Sequence, residues 1–178
     1  LTGDLQGRYS TVDQDLSLLR QSDLALEYLI DYFSQVEEPT MILLFGDHQP
    51  QVATDFYTEL LGGAFEDGDI TTAQQRQEVP FLLWANYDIP EREGMVTSLN
   101  YLSTLLMETA GLPLTDYQTF LSGIQAEVPA LNAMGFLDGQ GVWHRDRETL
   151  PEPAQAALDA YEMLQYNQLF DRREDRLE

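Results

Sequence analysis

The chain has no cysteine and no lysine, and only two histidines and two tryptophans. Without a thiol there is no disulfide, no zinc–thiolate centre and no cysteine nucleophile. Without lysine, all positive charge falls on nine arginines, set against 31 acidic residues for a net charge of −22. A field of that sign repels phosphodiester backbones and anionic headgroups, which argues against nucleic acid as a partner. No apolar run approaches the roughly 18 residues of a membrane span. There is no Walker-type glycine loop, no serine nucleophile elbow and no carboxylate pair at acid–base spacing. No repeat or low-complexity tract occurs, and no signal-peptide pattern. Because the first residue is Leu1, the chain reads as a piece of something longer.

What is present is an ordinary globular composition, 43% hydrophobic over 178 residues, enough for one domain with a core. The organising stretch is Thr40-Met41-Ile42-Leu43-Leu44-Phe45-Gly46-Asp47-His48-Gln49-Pro50. An uncharged apolar run of this length predicts a strand buried on both faces, as in a parallel sheet covered by helices. Pro39 marks its start and Gly46 its end. Ligands of open α/β sheets bind at the carboxyl ends of strands, where Asp47 and His48 stand side by side.

The flanking segments read as layers around that strand. A polar lead-in over residues 1–11 precedes a helix capped by Asp13 and running to about Val36, with Leu16, Leu19, Ala25 or Leu26, Leu29, Ile30 and Phe33 on the face expected to cover the sheet. A short helix is predicted over Thr54–Leu61, ended by Gly62-Gly63, then an exposed excursion over 62–78 with a helical turn at Gln74–Glu78. Val79–Ala85 is a second strand. Ser98 opens a helix buried through Leu99, Leu102, Leu105, Leu106 and Ala110 and stopped by Gly111 and Pro113. A further helix is predicted over Thr115–Glu127, a turn to Met134, a hairpin over Phe136–His144 and a last helix over Pro153–Phe170. Its aromatics, with Tyr28 and Tyr32, are read as core, and the tail from Asp171 as frayed.

A carboxylate beside an imidazole suits Mn²⁺ or Zn²⁺ better than Ca²⁺. Neighbours on a strand point to opposite sides, so Asp47 and His48 can share an ion only where the backbone turns, and Gly46 and Pro50 supply that turn. Two ligands are fewer than the three or four a metal site requires. The alternative is a histidine packed at a strand end with Asp47 capping a turn, and spacing alone leaves both open. The other histidine, His144, reads as the solvated end of an edge strand, with Arg145 and Arg147 available to an anion.

Phe45-Gly46-Asp47-His48-Gln49-Pro50 resembles the lipoteichoic-acid synthase and phosphoglycerol transferase group of sulfatase-like enzymes in the alkaline-phosphatase superfamily. Arg20-Gln21-Ser22-Asp23, Val79–Asn86, Ser98–Pro113 and Leu164–Asp171 are similar to neighbouring family segments, so the likeness spans about residues 10–171. It implies a partial αβα sandwich, mainly parallel sheet flanked by helices, with a small C-terminal hairpin and helix. It implies that Asp47 and His48 are metal ligands for a divalent Mn or Zn ion shared with an acidic residue and a threonine nucleophile upstream, so that no catalytic nucleophile lies in residues 1–178. The implied activity is transfer of glycerol phosphate from a phosphatidylglycerol-like lipid to a polymer, a glycan or water. The implied parent has a membrane anchor and an extracytoplasmic catalytic domain, whereas this segment alone is expected to be soluble, inactive and prone to self-association. A sulfatase or phosphodiesterase of the same superfamily, and a non-catalytic acidic binding module, are the alternatives.

Overall fold

In the computed structural model, which describes residues 5, 7–62 and 70–170, the apolar run becomes strand β1, Met41–Phe45. The chain divides into two units, Leu1–Asp88 and Ile89–Glu178. The expected excursion lies mostly, and the charged tail wholly, outside the described residues, as does most of the lead-in before residue 7.

The first unit holds α1 (Ser10–Phe33), β1, α2 (Thr54–Leu61), α3 (Ile70–Gln75) and β2 (Phe81–Ala85). Helix α1 starts before Asp13, whose N–H already donates to Tyr9 O at 3.0 Å. Asp13 is therefore a first-turn carboxylate, favourable at that end of the helix dipole, and the cap position belongs to Tyr9. Helix α2 ends on Gly62 at φ 72°, a left-handed cap that a glycine adopts without strain. Helix α3 begins ahead of the turn expected at Gln74–Glu78.

Strands β1 and β2 pair antiparallel, Met41 against Ala85 through Phe45 against Phe81. This corrects the expectation of a mainly parallel sheet: the described strands form one two-stranded and one three-stranded sheet, and every pairing is antiparallel. A continuous apolar run signals two faces in need of cover, not the direction of the neighbouring strand. What stands is an α/β arrangement of helices and strands.

Asn86, just past β2, ties the sheet to the end of α1. Its side-chain N–H₂ faces the carbonyls of Phe33, Val36 and Glu38 at 3.1, 2.9 and 3.0 Å. Its Oδ1 accepts from Thr40 N at 2.8 Å. The carbonyls left over at a helix end are thus met by one amide.

The second unit holds α4 (Leu99–Thr109), α5 (Asp116–Gln125), β3 (Ala130–Asn132), β4 (Gly135–Leu137), β5 (Trp143–His144), a 3-10 turn (Arg147–Thr149) and α6 (Glu152–Phe170). Gly111 takes φ 67°. Gly111 N donates to Glu108 O and Leu112 N to Met107 O, the two bonds of a Schellman stop. Helix α5 opens on a capping box between Thr115 and Gln118. Tyr101, Leu121 and Tyr161 form one buried cluster, and Val128, Leu150, Ala154, Ala157 and Leu158 another. The buried Tyr101 hydroxyl, its pKa pushed up to about 12 by desolvation, donates to Val128 O at 2.8 Å.

Candidate functional site

The site grows from the exit of β1. Gly46 N donates to Pro80 O at 3.0 Å, keeping the backbone on β2 for one more residue. A Cβ at Gly46 would come within 2.9 Å of Val79 Cβ, so only glycine lets the chain pass this close. Beyond it the backbone bends. Asp47 Oδ1 accepts from His48 N at 2.9 Å, a turn closed by its own side chain. His48 Nδ1 lies 2.9 Å from Gln49 O. A carbonyl only accepts, so Nδ1 carries the proton in that bond. The other ring nitrogen, Nε2, sits 3.5 Å from Asp47 Oδ2, and the side chains of His48 and Asp47 are 72% and 83% exposed.

Two residues that sequence reasoning passed over hold this turn. Gln49 Nε2 donates to Glu78 O at 2.6 Å. The buried Tyr57 donates its hydroxyl to Pro50 O at 3.1 Å, and the Arg76 guanidinium lies 4.5 Å from the Tyr57 ring centroid. The turn is anchored at Gln49 and Pro50, while the side chains of Asp47 and His48 are exposed and bond to backbone within the turn itself. Spacing gave no sign of these anchors, because they reach to residues 75–78 and to α2.

The donor set does not fit a resident metal. Among the described residues no group of three or more His, Asp or Glu side chains is placed to hold an ion. Among the described residues Asp47 and His48 have no third partner, and one oxygen and one nitrogen of the pair are engaged by backbone. The expected Mn or Zn centre is therefore corrected: the described residues do not assemble one, because two exposed ligands without a third cannot repay dehydration of a divalent ion.

The second histidine also departs from expectation. His144, expected to be solvated, has its side chain only 15% exposed, with Nε2 at 2.9 Å from Asp138 Oδ2. Its Nδ1 lies 3.1 Å from Thr149 Oγ1. Asp138 Oδ1 accepts from Gln140 N and Val142 N, both at 2.9 Å. Burial pushes the Asp138 carboxyl up, but the Val142 and Gln140 amides and the His144 ring outweigh it and hold the group below its ordinary value. This pair closes the β4–β5 hairpin. Arg147 is spent on Asp159 and Glu162 of α6 rather than offered to an anion.

A family model described as Sulfatase matches residues 3–112, the segment that includes β1 and the Asp47–His48 turn. A protein of Rhizobium meliloti (strain 1021), named "Putative cyclic beta-1,2-glucan modification protein", is 26% identical over 158 residues, covering 87% of this chain and 25% of its own length. The chain thus spans about a quarter of that relative. No solved structure matches it. Among the described residues no helix is long and apolar enough to cross a membrane.

Proposed function

We propose a phosphoglycerol-transferase role for this chain, which belongs to the sulfatase family of the alkaline-phosphatase superfamily. In this reading it is the C-terminal portion of a sulfatase-like catalytic domain whose upstream part supplies the nucleophile and completes the αβα sandwich. Its contribution to the reaction centre is Asp47 and His48, a carboxylate and an imidazole presented at the end of a strand. The observation that carries the reading is the coincidence of the family match with two chemically apt side chains that are both exposed and both uninvolved in packing.

A threonine hydroxyl of the upstream part attacks the phosphorus of a phosphatidylglycerol-like lipid. The Thr Oγ–P bond forms, the bond from phosphorus to the diacylglycerol oxygen breaks, and the leaving oxygen takes up the proton. A glycan hydroxyl then attacks that phosphorus: its O–P bond forms as the P–Oγ bond breaks, and its proton goes to the departing threonine oxygen, leaving a glycerol-phosphate ester on the sugar. The name of the relative, a glucan-modifying protein, supports a glycan as the acceptor. Such a parent is anchored in the membrane with its catalytic domain on the outer side, where lipid donor and glycan meet.

The test uses the full-length protein, phosphatidylglycerol labelled in its headgroup glycerol, and a β-1,2-glucan acceptor. Label should pass to the glucan, and Asp47→Ala should reduce transfer by about 10²-fold or more, the scale of losing one group that acts on transition-state charge. Hydrolysis of a sulfate ester or a simple phosphodiester, without transfer, assigns the parent instead to the sulfatases or phosphodiesterases. The second reading is a non-catalytic acidic binding module. Unchanged activity in the Asp47→Ala parent supports it.

A further inference from the structure

A neutral imidazole carries one proton on either of its two nitrogens, and the hydrogen bond made by one nitrogen decides the state of the other. In His48, Nδ1 lies 2.9 Å from Gln49 O, while Nε2 lies 3.5 Å from Asp47 Oδ2. The first distance is that of a full hydrogen bond, and the second is beyond it. Asp47 does not close that gap, because its Oδ1 is already occupied in accepting from His48 N at 2.9 Å. The geometry thus selects the Nδ1–H form, with the lone pair on Nε2.

A ring whose side chain is 72% exposed keeps such a bond against water only if the acceptor is itself held in place. The Gln49 carbonyl is held in three ways. Gln49 precedes Pro50, which biases its backbone to the extended region and so sets the direction of its carbonyl. The Gln49 side-chain Nε2 donates to Glu78 O at 2.6 Å, just ahead of β2. Pro50 O accepts from the buried Tyr57 hydroxyl at 3.1 Å, which fixes the next residue. Of these constraints, the Gln49 side chain is the one that can be removed while the proline and the buried tyrosine stay as they are.

We propose that Gln49 is a positioning residue for His48: its bond to Glu78 O steadies the carbonyl that keeps the ring proton on Nδ1, so that His48 presents Nε2 as an acceptor. This rests on the reading of the Asp47–His48 turn as part of a phosphoryl-transfer centre. The attacking groups of that reaction are hydroxyls. A lone pair at Nε2 accepts a hydrogen bond from a hydroxyl, whereas an N–H there donates one. Without the Gln49 amide the carbonyl loosens, the ring turns toward Asp47, and the Nε2–H form competes.

The chain has two histidines, so ring-nitrogen NMR signals are assigned to His48 by their loss in His48→Ala. At alkaline pH, where an imidazole is neutral, His48 should carry its proton on Nδ1. Gln49→Met, of similar length but without a donor, should shift the ring toward the Nε2–H form while circular dichroism stays unchanged. Gln49→Lys, which can still donate to Glu78 O, should keep the Nδ1–H form. In the full-length protein Gln49→Met should lower kcat for transfer about tenfold or more with KM little changed, as misplacing a reacting group does, and Gln49→Lys should recover part of the loss. An Nε2–H form in the unsubstituted chain overturns the proposal. So does an Nδ1–H form that persists in Gln49→Met, or an unchanged kcat in that variant. Absence of transfer by the unsubstituted full-length protein, with the ring signals as expected, instead overturns the transferase reading and leaves the assignment of the ring proton to Gln49 standing.

Discussion

The two units differ in what they bury. Among the described residues, Ile89–Glu178 contains the buried Tyr101, Leu102, Leu105, Leu121, Val128, Ala130, Leu137, Leu150, Ala154, Ala157, Leu158, Tyr161 and Leu164, whereas Leu1–Asp88 buries only Val12, Phe56, Tyr57 and Gln74. Yet the first unit carries the longest helix and the most apolar strand. Leu16, Leu19, Leu29 and Tyr28 of α1 remain exposed, and no residue of β1 or β2 is fully buried. The unit that presents Asp47 and His48 is thus the one whose described residues bury the smaller core, the cluster of Val12, Phe56 and Tyr57. Apolar surface of this extent on a folded chain marks a contact surface, which accords with an upstream part of the domain as its cover.

The contrast is broken most forcefully in the second unit. Leu121 is fully buried between Tyr101 and Tyr161, so Leu121→Ala should cost about 2–5 kcal/mol. Leu19 is 59% exposed, and Leu19→Ala should stay within about 0.5 kcal/mol. Each unit has its own fluorophore, Trp84 in β2 and Trp143 in β5, so urea titrations in Trp84→Phe and Trp143→Phe backgrounds read the two separately. A comparable loss from Leu19→Ala would mean that the α1 face is covered in solution, and the contrast would vanish.

The first unit should be most sensitive not at an apolar residue but at Asn86. Asn86→Ala strips the end of α1 and Thr40 N of their shared partner. With the groups half-buried, the expected loss is about 2–3 kcal/mol, seen through Trp84 and accompanied by faster amide exchange at Thr40. A loss below about 0.5 kcal/mol would show that water replaces the amide there.

Element positions were legible where a local rule governs them. Gly111 and Pro113 announced the stop of α4, and the stripe Ala157, Leu158, Tyr161 and Leu164 announced the buried side of α6. The three-residue β3 was not legible, since Ala130–Asn132 carries no alternation long enough to detect. Nor was the covering of α1: periodicity tells which side of a helix is apolar, not whether anything lies against it. The same holds at the end of α6, where Tyr166, Leu169 and Phe170 are exposed. At the site, Asp47 and His48 were legible as residues, but the missing third ligand was not, because a ligand set is assembled across elements. The His144 contact depended on the turn Asp138-Gly139-Gln140-Gly141, whose aspartate accepts two amides and so aims its other oxygen at the ring. Gly139 is required there, since a Cβ would strike Ala126 O.

That hairpin gives a smaller, pH-dependent effect. The Asp138 carboxyl lies below its ordinary value of 3.8 in the folded chain. Its contribution is therefore fully present above about that pH and is lost as pH falls through the lower folded-state value. Acid unfolding followed by Trp143 should steepen below the ordinary carboxylate range, and Asp138→Asn should flatten that window while costing about 1–2 kcal/mol near neutrality. An unchanged acid profile in Asp138→Asn would remove the carboxylate from the account of this hairpin.

The smallest expected effect on stability falls at Asp47 and His48, and it separates the two meanings the pair had in the sequence. If Asp47 serves mainly to close the turn, Asp47→Ala leaves His48 N without its acceptor and the first unit should lose about 1 kcal/mol. If the pair is held out for chemistry, the Gln49 and Tyr57 anchors keep the turn without it, and both Asp47→Ala and His48→Ala should lie within about 0.5 kcal/mol of the parent chain. The exposure of both side chains, with the anchoring bonds one and two residues further on, favours the second outcome. Urea unfolding through Trp84 decides it: a neutral result in this chain, combined with lost transfer in the full-length protein, is what a functional pair on a borrowed scaffold requires, whereas a destabilised chain returns Asp47 to the role of a turn cap.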